Sequence, residues 1–197
     1  MTSRSRTVLA SALVLAGACS AERAVPTSTE LRIPLYETSQ AANNLGTHLD
    51  GRDEVPVHLD TRAQGQAIFR VSDDGMSVDY TLIASNIDNP FMAHIHLGPA
   101  GVVAPIVEWL YPSTAVAPGP LGSGRHDGIL AQGTFTAANL VGPLAGHPLS
   151  DLLAAMRTGG AYVNVHTNDG VGAVNTGPGD FPGGEIRGQL SQANLKQ

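Results

Sequence analysis

The sequence predicts an all-β fold, an antiparallel β-sandwich of about eight strands with one short helix, and three observations carry that reading. Gly and Pro number 23 and 13 in 197 residues, about 18% where average usage is roughly 12%, so tight turns are frequent. Charged residues make up only 14% of the chain while apolar residues reach 42%. That balance suits a folded core and fits neither long solvated helices nor disorder. From Asn43 onward, short runs of alternating apolar and polar residues are separated by turn signals, with no internal repeat. The length suits one domain able to bury a core.

The elements follow in order. Leu45–Leu49 is the first strand. Gly65–Val71 and Ser77–Ala84 alternate cleanly, and Ser72-Asp-Asp-Gly-Met76 between them supplies a tight turn. Period-two geometry sets Val78, Tyr80, Leu82 and Ala84 on one face of the second of these strands. Met92–Leu97, Pro105–Leu110 and Gly128–Phe135 come next. Ser150–Thr158 reads as the helix: Ser150 caps it, Leu152, Leu153 and Met156 form an apolar stripe, Arg157 sits in its last turn and Gly159-Gly160 ends it. It is expected to plug one end of the sandwich. Ala161–His166 and Gly184–Leu190 complete the strands. Two long loops, Tyr111–Asp127 and Asn168–Gly183, are rich in Gly and Pro, and loops of that length in a compact domain are usually functional or mobile.

The N-terminus carries Arg4 and Arg6, then the apolar run Val8–Ala16, then small residues. This is the pattern of an export signal, and the run is too short to span a membrane. Leu15-Ala16-Gly17-Ala18-Cys19 resembles the lipobox of bacterial lipoproteins, in which the cysteine becomes the lipidated first residue. A plain secretory signal cut near Ala18 or Ala21 is the alternative. The expected organisation is a signal peptide at 1–18, a tether at 19–42, the folded domain at 43–192 and a tail at 193–197. The implied location is outside the cell, lipid-anchored to a bacterial envelope or secreted, with the membrane touched only through the lipid. Removal of 1–18 takes away two Arg and no acid, so the charge of −6 becomes −8.

Several function classes are excluded. The chain has ten Arg and a single Lys, Lys196, with no polybasic stretch, so nucleic acid is not an expected partner. Cys19 is the only cysteine, which rules out an intramolecular disulfide. There is no nucleophile elbow and no phosphate-binding glycine loop with its Lys. No protein partner can be named.

The chemistry gathers on histidines. His94-Ile95-His96 lies within a predicted strand, so both imidazoles share a face, about 6.5–7 Å apart along the backbone, and can converge on one metal ion. In Ala161–His166, Tyr162, Asn164 and His166 share a face opposite Val163 and Val165. If the two strands are neighbours, His166 becomes a third nitrogen ligand. Imidazole-only ligation suits copper or zinc rather than calcium or magnesium. His126 is a candidate additional ligand from the loops, as are His58, Asp169 and Asp180, each also readable as simply solvated. The alternative for the three strand histidines is a polar patch bonded within itself.

Met92-Ala-His-Ile-His-Leu-Gly-Pro-Ala100, Tyr162-Val-Asn-Val-His-Thr167 and Phe181-Pro-Gly-Gly-Glu-Ile-Arg-Gly-Gln-Leu190, preceded by Asp53-Glu-Val-Pro56, resemble the blocks of the CHRD domain, first recognised in chordin and common in exported bacterial proteins. The resemblance runs from about Leu45 to Leu190 in the expected order. Two stretches depart from the pattern: Asn168–Asp180 is inserted and Gly122–Gly128 is expanded. The resemblance implies an extracellular binding module and assigns no activity. The histidine set is also similar to the copper site of copper–zinc superoxide dismutases, likewise Greek-key sandwiches, which use a His-x-His strand pair and a later strand histidine. That likeness implies the alternative of a redox enzyme. A third reading is a surface interaction or adhesion domain without metal.

Glu54, Glu185 and Arg187 are expected to form a structural ion pair or hydrogen-bond network that fixes the chain ends, Arg187 acting as a two-pronged donor. Their functional alternative makes Arg187 an anion guide beside the metal. Trp109 and Tyr111 are read as rim packing.

Overall fold

The computed structural model of the protein describes residues 43–113 and 117–191. The expected signal segment, Cys19, the tether and the 193–197 tail lie outside the described residues. Eight strands form: β1 (Asn44–Asp50), β2 (Gln64–Val71), β3 (Ser77–Asp88), β4 (Pro90–Leu97), β5 (Ile106–Tyr111), β6 (Arg125–Thr136), β7 (Ala161–Thr167) and β8 (Ile186–Gln189). Among the described residues the α-helix α1 (Leu149–Thr158) precedes β7.

All pairings are antiparallel, and the strand order is β5-β4-β7-β8-β1-β2-β3-β6. The chain makes a β1-β2-β3 meander, then crosses to the other layer for β4 and β5. It returns so that β6 pairs with β3, and crosses again so that β7 pairs with β4. These are the Greek-key connections expected of such a sandwich. The two layers are halves of one sheet that curls nearly closed into a barrel. They join where Asp50 pairs with Arg187 and Gly46 bridges to Ser191. The seam is tight: a Cβ on Gly188 would strike the His48 carbonyl and stand 2.8 Å from Thr47 Oγ1. Only glycine permits that approach.

The alternation read from sequence defines the interior. Val78, Tyr80, Leu82 and Ala84 are all buried, with Phe69, Phe135, Ile95 and Leu110 around them. Phe135 meets Phe69 edge-on at 6.4 Å, and the Tyr80 hydroxyl donates to the Leu110 carbonyl at 2.7 Å, tying β3 to β5. The β2–β3 turn forms as expected, with Gly75 at φ 70 and Asp74 accepting from the Met76 amide at 2.9 Å. α1 closes one end of the barrel through Leu149, Leu152, Leu153 and Met156, and ends on Gly159 in the left-handed region. No helix among the described residues is long and apolar enough to cross a membrane.

Two boundaries differ from expectation. β3 continues four residues past Ala84 because Asn86, at φ 54, bulges the strand and returns Ile87 to the core. A bulge breaks simple alternation, so the continuation reads as a loop in sequence. The helix begins after Pro148, which makes no side-chain cap, and Ser150 lies inside its first turn.

Glu108 on β5 is an exception in the interior. It is fully buried opposite Ile95, and apart from the approach of the Trp109 amide its carboxyl oxygens have no hydrogen-bond partner. Burial raises its pKa from 4.5 to about 8, against a small lowering by the Trp109 amide. The folded state therefore holds this proton more tightly than the unfolded chain does. The stabilisation is fully present below about pH 4.5 and is lost as pH rises to about 8. Glu108→Gln, neutral at every pH, is expected to remove a slope of up to about 1.4 kcal/mol per pH unit across that window. Urea denaturation at pH 5 and pH 8 checks this, and an unchanged slope in the variant refutes it.

Candidate metal centre

Because β7 lies directly beside β4, the two histidine-bearing strands present one continuous face. In register, Met92 stands opposite His166, His94 opposite Asn164 and His96 opposite Tyr162. Ile95, Val163 and Val165, on the other face, are fully buried in the core. The same alternation that packs the interior thus projects His94, His96 and His166 together.

His94 Nδ1 lies 3.1 Å from His166 Nε2. The Nδ1 of His96 donates to the Ala104 carbonyl at 2.8 Å, and that of His166 to the Pro182 carbonyl at 2.9 Å. Those two bonds select the tautomer and leave each Nε2 as a lone pair, the arrangement that orients imidazoles toward a metal. One nitrogen from each of the three histidines lies within 4.8 Å of the others. A shared ion with metal–nitrogen bonds of about 2.0–2.1 Å would hold its nitrogens about 3.3–3.6 Å apart, so the widest separation would close by at most about 1.2–1.5 Å. The Nε2 atoms of His94 and His96 are buried without a partner. Buried nitrogens are rarely left unpaired, and an ion at the centre satisfies His96 directly.

Burial keeps these rings neutral. His94 is pushed down to about 2, chiefly by desolvation and then by the neighbouring His166 and His96. His166 falls to about 4 for the same leading reason, partly opposed by its bond to Pro182. Desolvation also lowers His96, against the raising effect of the Ala104 carbonyl. Neutral imidazole is the ligand form, and the Nε2 lone pairs of His96 and His166 carry no proton to displace at neutral pH.

Aromatic and polar neighbours wall the cluster. The Trp109 ring stands 4.1 Å from that of His94 at 85°, and Tyr162 stacks on His96 at 4.7 Å and 4°. On the β8 side of Tyr162, the Arg187 guanidinium lies 3.3 Å over the ring. Trp109 is therefore part of the site wall and not rim packing. Tyr162 was legible as a face-mate of His166; its stack on His96 depends on strand order.

The other expected site residues fall elsewhere. His126, on β6 opposite Ile87, is outside the three-histidine group, as are His58, Asp169 and Asp180. Asp180 instead accepts from the Thr176 amide and hydroxyl at 3.0 and 2.8 Å. Arg187 is 2% exposed and donates to the carbonyls of Val102 and Pro99 at 3.0 and 3.2 Å. It is two-pronged, but toward backbone, and it presents no face to a solvent anion. Glu185 takes the hydroxyls of Thr61 and Thr167 at 2.6 and 2.7 Å and the Gly179 amide at 2.8 Å. Ion pairs among the described residues involve Arg125 and His147 and not Glu54, Glu185 or Arg187, and the hydrogen-bond partners of Glu185 and Arg187 are separate.

Fold and site together define a Greek-key β-barrel with a buried three-imidazole cluster that can hold a metal ion. Comparison with protein-family models matches residues 45–190 to the CHRD domain, about three quarters of the chain, and the protein belongs to that family. No curated protein matches the sequence.

Proposed function

We propose that the protein is an exported, envelope-tethered binding module that retains a copper ion through His94, His96 and His166, with zinc as the competing ion. The observation that carries this reading is the pair of backbone carbonyls that hold Nδ1 of His96 and His166 and leave both Nε2 atoms as lone pairs, that of His166 facing His94 Nδ1 at 3.1 Å. Three neutral nitrogens favour late first-row metals, and affinity at such a site peaks at copper. The histidines are 0, 7 and 6% exposed, which favours retention of an ion over rapid exchange with substrate. The export signal and Cys19 supply the tether in this reading, and the membrane is contacted only through the lipid.

The test presents purified mature protein with equimolar copper and zinc and identifies the bound ion by native mass spectrometry. One equivalent of copper is expected; an empty protein overturns the reading, and one equivalent of zinc overturns the choice of metal. A superoxide-removal assay on the copper-loaded protein separates a carrier from the redox-enzyme alternative. For the tether, the wild type is expected in the detergent phase on phase separation and Cys19→Ala in the aqueous phase.

A further inference from the structure

Beside the metal centre, and independent of it, a cleft of about 610 Å³ opens between the 54–59 segment, Val103 and the 181–184 turn. Its volume falls in the range of small-molecule sites. Val55, Val57, Val103 and Phe181 supply apolar walls, and Val57 and Val103 are 65% and 69% exposed at the lips. Glu54 also lines the cleft yet is only 3% exposed, and its Oε1 has no hydrogen-bond partner. That oxygen borders Gly184, another lining residue: a Cβ on Gly184 would stand 2.7 Å from it. The glycine keeps the cleft wall thin where the carboxyl sits. Glu54 is the lone charged residue of the lining, which includes no base.

We propose that this cleft binds a small organic amine, its apolar body between Val57, Val103 and Phe181 and its ammonium group donating to Glu54. A buried carboxyl oxygen left without a hydrogen bond, as Oε1 of Glu54 is, is costly, and an ammonium donor satisfies it with both hydrogen bond and charge. Burial otherwise holds this carboxyl near 7, above the usual carboxylate range, despite the nearby Arg187 and hydrogen bonding from the Val55 amide and the Asn164 side chain. The apolar walls provide the remaining contact area, as in most small-ligand sites.

The probe is 2-phenylethylamine, compared with 2-phenylethanol and 3-phenylpropionate, titrated into metal-free protein and followed by amide NMR shifts. Saturable shifts of Val55, Val57, Val103, Gly183 and Gly184 are expected, with the amine binding at least tenfold tighter than the alcohol and the acid not binding. Glu54→Gln is expected to erase that tenfold preference. Because Glu54 is buried, its variant is accompanied by Val57→Asn with Val103→Asn at exposed positions, expected to weaken amine and alcohol alike by tenfold or more. No saturable binding of the amine at 10 mM, equal binding of amine and alcohol by wild type, or undiminished binding by the valine variant overturns the proposal. Metal plays no part in these measurements, so their failure leaves the copper reading standing, and the reverse.

Discussion

The double variant His94→Ala with His96→Ala is expected to lose the one equivalent of copper that the wild-type protein keeps through dialysis. Both substitutions remove nitrogens from the same three-atom set, and His166 alone is a single imidazole with no chelating partner. The effect extends to stability, because an ion that binds the folded state alone stabilises it in proportion to the logarithm of one plus the ratio of its free concentration to its dissociation constant. Free copper at about 1,000 times the dissociation constant adds roughly 4 kcal/mol. For a domain of this size that is a rise in melting temperature of roughly 8–16 °C. The wild type is expected to show it and the double variant to show none. Scanning calorimetry with and without copper, beside metal analysis of the dialysed samples, checks both halves. A double variant that still retains an equivalent, or still gains stability from copper, removes the proposed centre.

Arg187→Ala is expected to be among the most destabilising single substitutions in the domain, at about 3–5 kcal/mol. The guanidinium is almost wholly buried, bonds the carbonyls of Val102 and Pro99 in the loop after β4, and stacks on Tyr162. Truncation leaves two carbonyls without donors, opens a cavity and removes a desolvated cation–π contact. Arg187→Lys keeps the charge but not the fork or the planar stack, so it is expected to recover only part of the loss. Chemical denaturation of the three proteins measures this. A loss below about 1 kcal/mol for the alanine variant would show that the loop is held by other means. The same loop carries the Ala104 carbonyl that orients His96, so the alanine variant is also expected to bind copper more weakly.

Local pattern made much of this legible. Ser77–Ala84 could be assigned its buried face because each alternate side chain is apolar, and His94 and His96 could be set on one face because a strand repeats every two residues. Where local rules bend, the reading shortened. Asn86 bulges β3, so a strand that continues to Asp88 looked finished at Ala84. Ser150 resembles a cap, yet the helix starts one residue earlier, after Pro148. Charge gave a weaker guide: Glu185 and Arg187 sit two apart on one strand and look like an ion-paired set with Glu54, while the nearest donors and acceptors proved to be threonine hydroxyls, an amide and two carbonyls.

The sequence by itself determined the all-β class, the position of nearly every strand, the helix before β7 and the identity of the three histidines. Each of these follows from periodicity and turn chemistry within a few residues of chain. Only the tertiary structure decided that β7 pairs with β4, that Ala104 and Pro182 hold the outer nitrogens of His96 and His166, and that His126 stands apart. It alone revealed that Glu54 borders a cleft and that Glu108 is shut in the core. The reason is physical: which strand lies beside which depends on packing between segments as far apart as His94 and His166, 72 residues, which loop carbonyl reaches a given ring depends on how an irregular loop folds back on its strand, and period-two alternation along one strand carries no information about either.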